Sequence, residues 1–259
     1  MSNHFSLQGK TALITGASSG IGRQQSRALA AAGASVVLVG RREEALIDTA
    51  NLIKESEGSK ATTPDTHVLA WDLQNRDSIE DLATAATALT GGIDILCNTA
   101  GVNHRQSVDD ITFESWDSTI NLNLSVPFFL ARALAPHMQT QRWGKILNVA
   151  SLQSRQAFPN GLAYGASKGG IAQVTRAMAQ AWSNSGITCN AIAPGFFPTE
   201  LTAPVFANPD QSDALANRTA MGRNGELQDL DGVTVFLTSP ASDYITGQVL
   251  YVDGGFTAL

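Results

Sequence analysis

The sequence predicts an α/β fold, a parallel sheet with helices on both faces. Three observations carry that expectation. Short apolar runs recur at 11–15, 35–39, 67–71, 93–97, 145–150, 187–192 and 248–252. Most are apolar nearly throughout, as strands are when helices bury both faces of their sheet. The stretches between them place apolar residues at helical spacing, and a glycine-rich turn directly follows the first run.

That first run, Thr11-Ala12-Leu13-Ile14-Thr15, leads into Gly16-Ala17-Ser18-Ser19-Gly20-Ile21-Gly22 and then a helix-like stretch. Glycines there permit a tight turn and let a pyrophosphate approach backbone N–H groups at a helix N-terminus, where the dipole favours anions. The spacing is Gly-x3-Gly-x-Gly, not the Gly-x-Gly-x2-Gly of many dinucleotide folds, and alone it also suits a plain strand-to-helix turn. The polar stretch 55–66, with Gly58 and Pro64, reads as a loop at a helix end. Ile120, Leu124, Phe128, Ala131 and Ala135 form one helical stripe and Ile171, Val174, Met178 and Ala181 another, both expected in the core. The long polar segment 200–222 carries Pro204, Asn208, Pro209 and Asp210 and has the character of a lid whose Leu201, Val205 and Phe206 meet a ligand; a surface excursion has the same composition.

Ser151, Tyr164 and Lys168 carry the chemistry. Tyr164 and Lys168 are four apart, so on a helix both side chains leave one face. A free phenol titrates near pH ~10, and a cation about 5 Å away at an effective dielectric of about 20 favours the phenolate by about 3 kcal/mol, roughly two pKa units. Such a tyrosine becomes a usable acid or base.

The chain has 259 residues, 43% of them hydrophobic, enough for one large core and a single domain over 1–259. A net charge of −6 without a basic patch argues against nucleic acid and anionic membrane as partners and favours a small molecule. Residues 1–9 show no basic region followed by an apolar stretch, so neither a signal peptide nor a membrane span is expected, and the location predicted is cytoplasmic. Cys97 and Cys189 each lie in an apolar run without metal-ligand spacing and read as reduced core cysteines, with no metal site.

Thr15-Gly16-x3-Gly20-Ile21-Gly22, Asn98-Thr99-Ala100-Gly101, Asn123, Ser151, Tyr164-x3-Lys168 and Pro194-Gly195 resemble, in order and spacing, the short-chain dehydrogenase/reductase family. The similarity runs from Leu7 to the Val252-Asp253-Gly254-Gly255 ending. It implies a doubly wound (Rossmann) seven-stranded parallel sheet in the order 3-2-1-4-5-6-7, with ligands at the C-terminal strand edge. It also implies a homotetramer with the apolar ending 251–259 between subunits. In the catalytic group so implied, Tyr164 exchanges a proton with the substrate oxygen while hydride moves to or from nicotinamide. Ser151 holds that oxygen, Lys168 lowers the tyrosine pKa and grips the nicotinamide ribose, and Asn123 positions a water. Taken singly, Ser151 also reads as a strand-end serine in a local turn and Asn123 as a helix-bend amide, but the interval of thirteen from Ser151 to Tyr164 matches the family.

The resemblance assigns the cofactor to Gly16, Ser18, Ser19, Gly20, Ile21 and Gly22 at the turn, with Asp72 and Leu73 beside the adenine and Asn98, Ala100 and Gly101 along the adenosine. Tyr164, Lys168, Pro194, Gly195, Phe197 and Thr199 would surround the nicotinamide. Thr99 stands where the family usually has a second asparagine, which touches fine packing rather than the reaction. The second strand ends Val39-Gly40-Arg41-Arg42, with no acid until Glu43. NAD sites put an acid about 20 residues past the glycine loop, whereas an arginine accepts the 2′-phosphate of NADP. NADP is therefore expected, with Arg41 or Arg42 on the phosphate and NAD as the alternative. Two arginines opening a helix in solvent would look the same, and Ser19 occupies a position where many NADP-using relatives carry a second basic residue.

Within the family, Phe5-Ser6-Leu7, Asn103-His104-Arg105, Ser151-Leu152-Gln153-Ser154 and the Ala193-Pro194-Gly195-Phe196-Phe197 run are most similar to the sugar-acid and polyol oxidoreductases, the gluconate 5-dehydrogenase group. The substrate residues expected are His104, Arg105, Ser151, Gln153 and Tyr164, an arginine suiting a carboxylate and a glutamine suiting hydroxyls. The gluconate enzymes usually carry a second arginine where this chain has His104-Arg105-Gln106, and Arg155 is an additional charge. Two other readings share the motifs. A 3-oxoacyl or general carbonyl reductase calls for an open basic approach, and an NADP-binding regulator with an idle site loses the tyrosine or the lysine.

Overall fold

The computed structural model describes residues 4–57 and 64–258. Seven parallel strands form one sheet in the order β3-β2-β1-β4-β5-β6-β7. They are β1 Thr11–Thr15, β2 Ser35–Gly40, β3 Thr66–Ala70, β4 Ile95–Asn98, β5 Gly144–Val149, β6 Ile187–Pro194 and β7 Val249–Val252. The helices are α1 Gly20–Ala31, α2 Glu43–Glu57, α3 Ile79–Thr90, α4 Phe113–Ile120, α5 Val126–Gln141, α6 Leu162–Trp182, α7 Ala203–Phe206, α8 Pro209–Ala216 and α9 Asp231–Thr238.

Side chains alternate across a strand, and the two cores follow that period of two. Leu13, Val37, Leu96 and Ile146 enter the core under α3, α5 and α6, while their neighbours Ile14, Leu38, Cys97 and Leu147 enter the one that holds Leu29, Leu46 and Leu237 of α1, α2 and α9. The helical stripes pack in large part as expected, with Ala131, Ala135 and Met178 buried in the first core and Ile171 in a smaller third one, but Ala181, also expected in the core, is exposed at the end of α6. The edges differ. No residue of β3 is fully buried and Leu250 of β7 is exposed, because an edge strand has a neighbour on one side only.

Every strand after the first differs from the sequence expectation by one or two residues at one or both ends, as the third and fourth illustrate. The third begins one residue earlier and ends at Ala70, and the fourth spans Ile95–Asn98 rather than 93–97. Asp94 explains the shift of the fourth: its N–H donates to the Thr11 carbonyl and its carboxylate accepts from the Thr11 N–H at 3.0 Å, pinning the chain before the ladder begins. Half of the polar loop expected at 55–66 lies outside the described residues, and α2 extends over its first part.

Cys97 and Cys189 are buried and unpaired, and burial pushes both thiols up to about 12. Among the described residues no helix is long and apolar enough to cross a membrane, and no cluster of three or more acidic, histidine or cysteine side chains is arranged to hold a metal.

Candidate active site

Parallel strands all end on one side, and between β1 and β4 the order of connections reverses, opening a crevice at their C-terminal ends. Thr15 fixes its width. The Thr15 hydroxyl accepts from the N–H groups of Thr99 and Ala100 at 3.0 and 3.1 Å and donates to the Cys97 carbonyl, so the two strand ends leave the sheet side by side. A cleft of about 860 Å³ runs from here past the ends of β5 and β6.

The glycine turn forms one wall. Gly16 has φ +69°, and a Cβ there would stand 2.9 Å from Ala100 Cα; a Cβ on Gly22 would stand 2.3 Å from the Gly16 carbonyl oxygen. Backbone packed this closely tolerates no side chain. Arg23 and Thr49 brace the turn from behind: the guanidinium donates to the Ser18 carbonyl at 2.6 Å, and the Thr49 hydroxyl to the Ala17 carbonyl at 2.9 Å. Gly16, Ser18, Ser19, Gly20, Ile21 and Gly22 all line the cleft, at the N-terminus of the 12-residue α1. Arg41 and Arg42 line it too, and Arg42 Nη2 reaches Ser18 Oγ at 3.2 Å and Ser19 Oγ at 3.3 Å.

The residues expected to form the catalytic group sit where β5 ends. Ser151 opens a short turn over Leu152–Ser154, its Oγ accepting from the Gln153 N–H at 3.1 Å, while Ser154 Oγ donates to the Lys168 carbonyl at 2.6 Å and ties that turn to α6. The Ser151 hydroxyl also bonds the Tyr164 phenol. On α6, Lys168 Nζ lies 5.6 Å from the Tyr164 ring centroid and donates to the Val149 carbonyl at 2.6 Å. Asn123 lies in a π-helical segment, Asn121–Ser125, between α4 and α5; such bulges re-aim side chains at functional sites. Its amide accepts from the Val102 N–H at 2.8 Å and donates to the Val102 carbonyl and to Ser167 Oγ. Asn123 thus fastens the loop after β4 to α6, and it is buried outside the cleft lining.

Charge at the phenol differs from the sequence expectation. Burial pushes Tyr164 up from its ordinary value, and the groups that pull it back are the Ser151 hydroxyl and then the Arg105 guanidinium. Lys168 is not among them. Burial lowers its ammonium to about 8.

Arg105 sits at φ +52°, a left-handed conformation held by Asn103, whose Oδ1 accepts the Arg105 N–H at 3.1 Å. Asn103 and Arg105 line the cleft, while His104 between them is exposed outside its lining, contrary to its expected substrate role. Arg105 Nη2 donates to the Leu201 carbonyl at 3.1 Å. Gln153 lines the cleft, its Oε1 buried without a hydrogen-bond partner. Thr199 caps the turn Glu200–Thr202, its methyl 3.1 Å from the position a Gly20 Cβ would take. Leu201, Val205, Gln211, Leu215 and Arg218 of the covering segment face the cleft; Phe206 does not.

Four residues expected at the cofactor lie outside this lining. Asp72 is exposed and accepts from the Gln74 N–H at 3.0 Å, capping its own turn, while Leu73 is buried in the core. Asn98 Nδ2 donates to Pro127 O and to Asn148 Oδ1 at 2.9 Å, and Asn148 in turn donates to Thr175 of α6, so Asn98 belongs to a buried ladder beneath the site. Ala100 contributes its N–H to the Thr15 clamp. Gly101, Pro194, Gly195 and Phe197 do line the cleft.

A family model described as enoyl-(acyl carrier protein) reductase matches residues 16–257. The chain is 42% identical over 253 residues to the gluconate 5-dehydrogenase of Gluconobacter oxydans, covering 98% of this chain and 96% of the relative. It is 39% identical over 252 residues to the 2-dehydro-3-deoxy-D-gluconate 5-dehydrogenase of Bacillus subtilis, covering 97% and 96%. The chain belongs to the short-chain dehydrogenase/reductase family. It is accordingly an oxidoreductase. A crystal structure of a gluconate 5-dehydrogenase from Burkholderia cenocepacia in complex with NADP and tartrate superposes with a TM-score of 0.91 at 37% identity, covering 99% of this chain and 98% of that one.

Several contributors carried no motif. Phe158 and Phe196 line the far side of the cleft and pack with Phe256 behind them, ring to ring at 5.8 to 6.3 Å, with the Arg218 guanidinium 4.4 Å from the Phe256 centroid. Asp253 supports that side of the cleft by accepting from Gly255 and Thr257, which folds the tail back and buries Phe256. Leu259 lies outside the described residues.

Proposed function

We propose that this oxidoreductase transfers hydride between NADP and a carbinol or carbonyl carbon of a sugar acid. The observation that carries the reading is the shared cleft of Arg105, Ser151 and Tyr164, with the Arg105 charge bearing on the phenol. A guanidinium recognises a carboxylate in two parallel hydrogen bonds, and a sugar acid presents one a few bonds from its hydroxyls. Gln153, with a free acceptor, suits a hydroxyl donor. The names of the relatives, gluconate and 2-dehydro-3-deoxy-D-gluconate 5-dehydrogenases, point the same way.

The cofactor would lie along the glycine turn with its 2′-phosphate toward Arg42, Ser18 and Ser19, and its nicotinamide between Tyr164 and the Pro194-to-Thr199 strand end. When bound it supplies or accepts the hydride. The chain's own groups handle the proton. Ser151 holds the substrate oxygen, and Tyr164 gives it a proton in reduction or takes one in oxidation. At neutral pH Lys168 is charged and Tyr164 is a phenol, so the resident protonation states suit donation to a carbonyl oxygen. Asn123 positions the loop that carries Gly101 and Arg105. The segment 198–222 acts as a lid, tied to the body by Arg105. The enzyme is read as a cytoplasmic homotetramer; Phe113, 90% exposed, and Val108, 67% exposed, offer apolar surface for a partner copy, which light scattering will check.

Purified protein assayed with NADP and with NAD against sugar acids, matching neutral polyols and acyl ketones tests the reading. NADP-linked turnover concentrated on sugar acids is expected. Turnover confined to long acyl ketones would instead favour the carbonyl-reductase reading, and tenfold better use of NAD would remove the arginine argument.

A further inference from the structure

Arg42 faces an acid. Both oxygens of Glu200 accept from Arg42 Nη2, at 3.0 and 2.9 Å, while the same nitrogen reaches Ser18 Oγ and Ser19 Oγ. Glu200 is 158 residues away in sequence, on the first turn of the covering segment. Its carboxyl is held below its ordinary value by the Arg42 hydrogen bond first, with the Ser19 hydroxyl and the Arg23 charge adding to it. The Arg42 guanidinium thus bridges the Glu200 carboxylate and two serine hydroxyls at the rim of the glycine turn, and the Ser19 hydroxyl reaches the carboxylate as well. That donor set suits a tetrahedral oxyanion as well as a planar one.

We infer that Glu200 is a cofactor-specificity residue, an internal anion that stands on Arg42 in place of the 2′-phosphate and must leave when NADP arrives. The inference rests on the NADP reading above. NAD brings no second anion to Arg42, so Glu200 stays in place with it. NADP brings one, and two anions cannot share one guanidinium without repelling each other. The covering segment is tied at two adjacent residues, Glu200 to Arg42 on the cofactor side and Leu201 to Arg105 on the substrate side. The 2′-phosphate therefore releases the first of the two ties.

The test compares Glu200→Gln, Glu200→Ala and Arg42→Ala in the full chain, with circular dichroism to confirm folding. Calorimetry would measure binding of 2′-AMP, 5′-AMP, NADP and NAD. An exposed ion pair is weak, but removing the carboxylate also removes its repulsion of the phosphate, so both Glu200 variants are expected to bind 2′-AMP and NADP about three- to tenfold more tightly, less so at high salt. Binding of 5′-AMP and NAD should move less than about twofold. If Arg42→Ala weakens NADP while both Glu200 variants leave it unchanged, this inference fails and the NADP reading stands. If Arg42→Ala leaves NADP untouched, the NADP reading fails. If the Glu200 variants lose NAD affinity, Glu200 serves the ribose hydroxyls and the inference is reversed.

Discussion

The two walls of the cleft are made differently. The cofactor wall is mostly backbone: the Gly16-to-Gly22 turn, the Thr15 clamp and the start of α1, each within van der Waals contact of other main chain. The wall proposed for the substrate is made of long side chains from distant segments, with Arg105 after β4, Gln153 after β5 and Arg218 in the covering segment, the last backed by Phe256 of the tail. A wall of backbone has one shape and breaks when altered. A wall of side chains adjusts, and substitution there changes which ligand is taken. Tyr164, Ser151 and Lys168 stand where the walls meet.

The largest effect should come at that junction. Tyr164→Phe removes the proton donor and is expected to lower turnover by about 10²–10⁴-fold with NADP affinity intact, read from steady-state rates and a binding titration. Undiminished turnover would take the chemistry away from the phenol.

On the backbone wall, Gly22→Ala sets a Cβ against the Gly16 carbonyl, where neither atom can yield. We expect about 1–3 kcal/mol lost from urea unfolding and at least about tenfold weaker NADP binding. Near-normal binding would show that this wall adjusts as well.

Lys168 gives a smaller, pH-resolved effect. Its folded-state pKa of about 8 lies below the ordinary 10.5, so between those values the unfolded chain holds a proton that the native chain does not. Wild-type stability therefore gains up to roughly 3 kcal/mol from this group as pH rises from about 8 to 10.5, with nothing gained below 8. Cys97 and Cys189 work in the opposite sense, since thiols raised to about 12 lose stability as pH climbs past 9. Comparing wild type with Lys168→Met cancels the thiols. The difference should move in favour of wild type across that window, and parallel profiles would put the lysine pKa elsewhere.

The contrast between the walls also separates what was legible in the sequence from what was not. Glycine spacing records backbone shape locally, so the turn, the strand order implied by resemblance and the Ser151, Tyr164 and Lys168 set could all be read from short intervals. Four-residue spacing places Lys168 beside the Tyr164 ring, as the structure has it, but does not report the burial of either group. His104 was misplaced because neighbouring residues of a loop face different ways, and Asn103-His104-Arg105 does not announce which of them turn toward the cleft. Asn98 was taken for a cofactor contact when it joins a buried ladder to Asn148 and Thr175. Arg218, Phe256 and Glu200 gave no signal, since each acts through a partner far along the chain. Of these, only the Arg42–Glu200 pairing had one half marked in advance.

The account turns on Arg105 presenting a carboxylate-bearing substrate to Tyr164. NADP-linked kcat/KM should be measured for a sugar acid and its matching neutral polyol, in wild type and in Arg105→Ala. A charge-assisted hydrogen bond is worth about 1.5–3 kcal/mol, so the acid should lose about 10–100-fold on substitution, chiefly through KM, while the polyol changes little. Equal losses for both, or a wild-type preference for the neutral polyol, would contradict it.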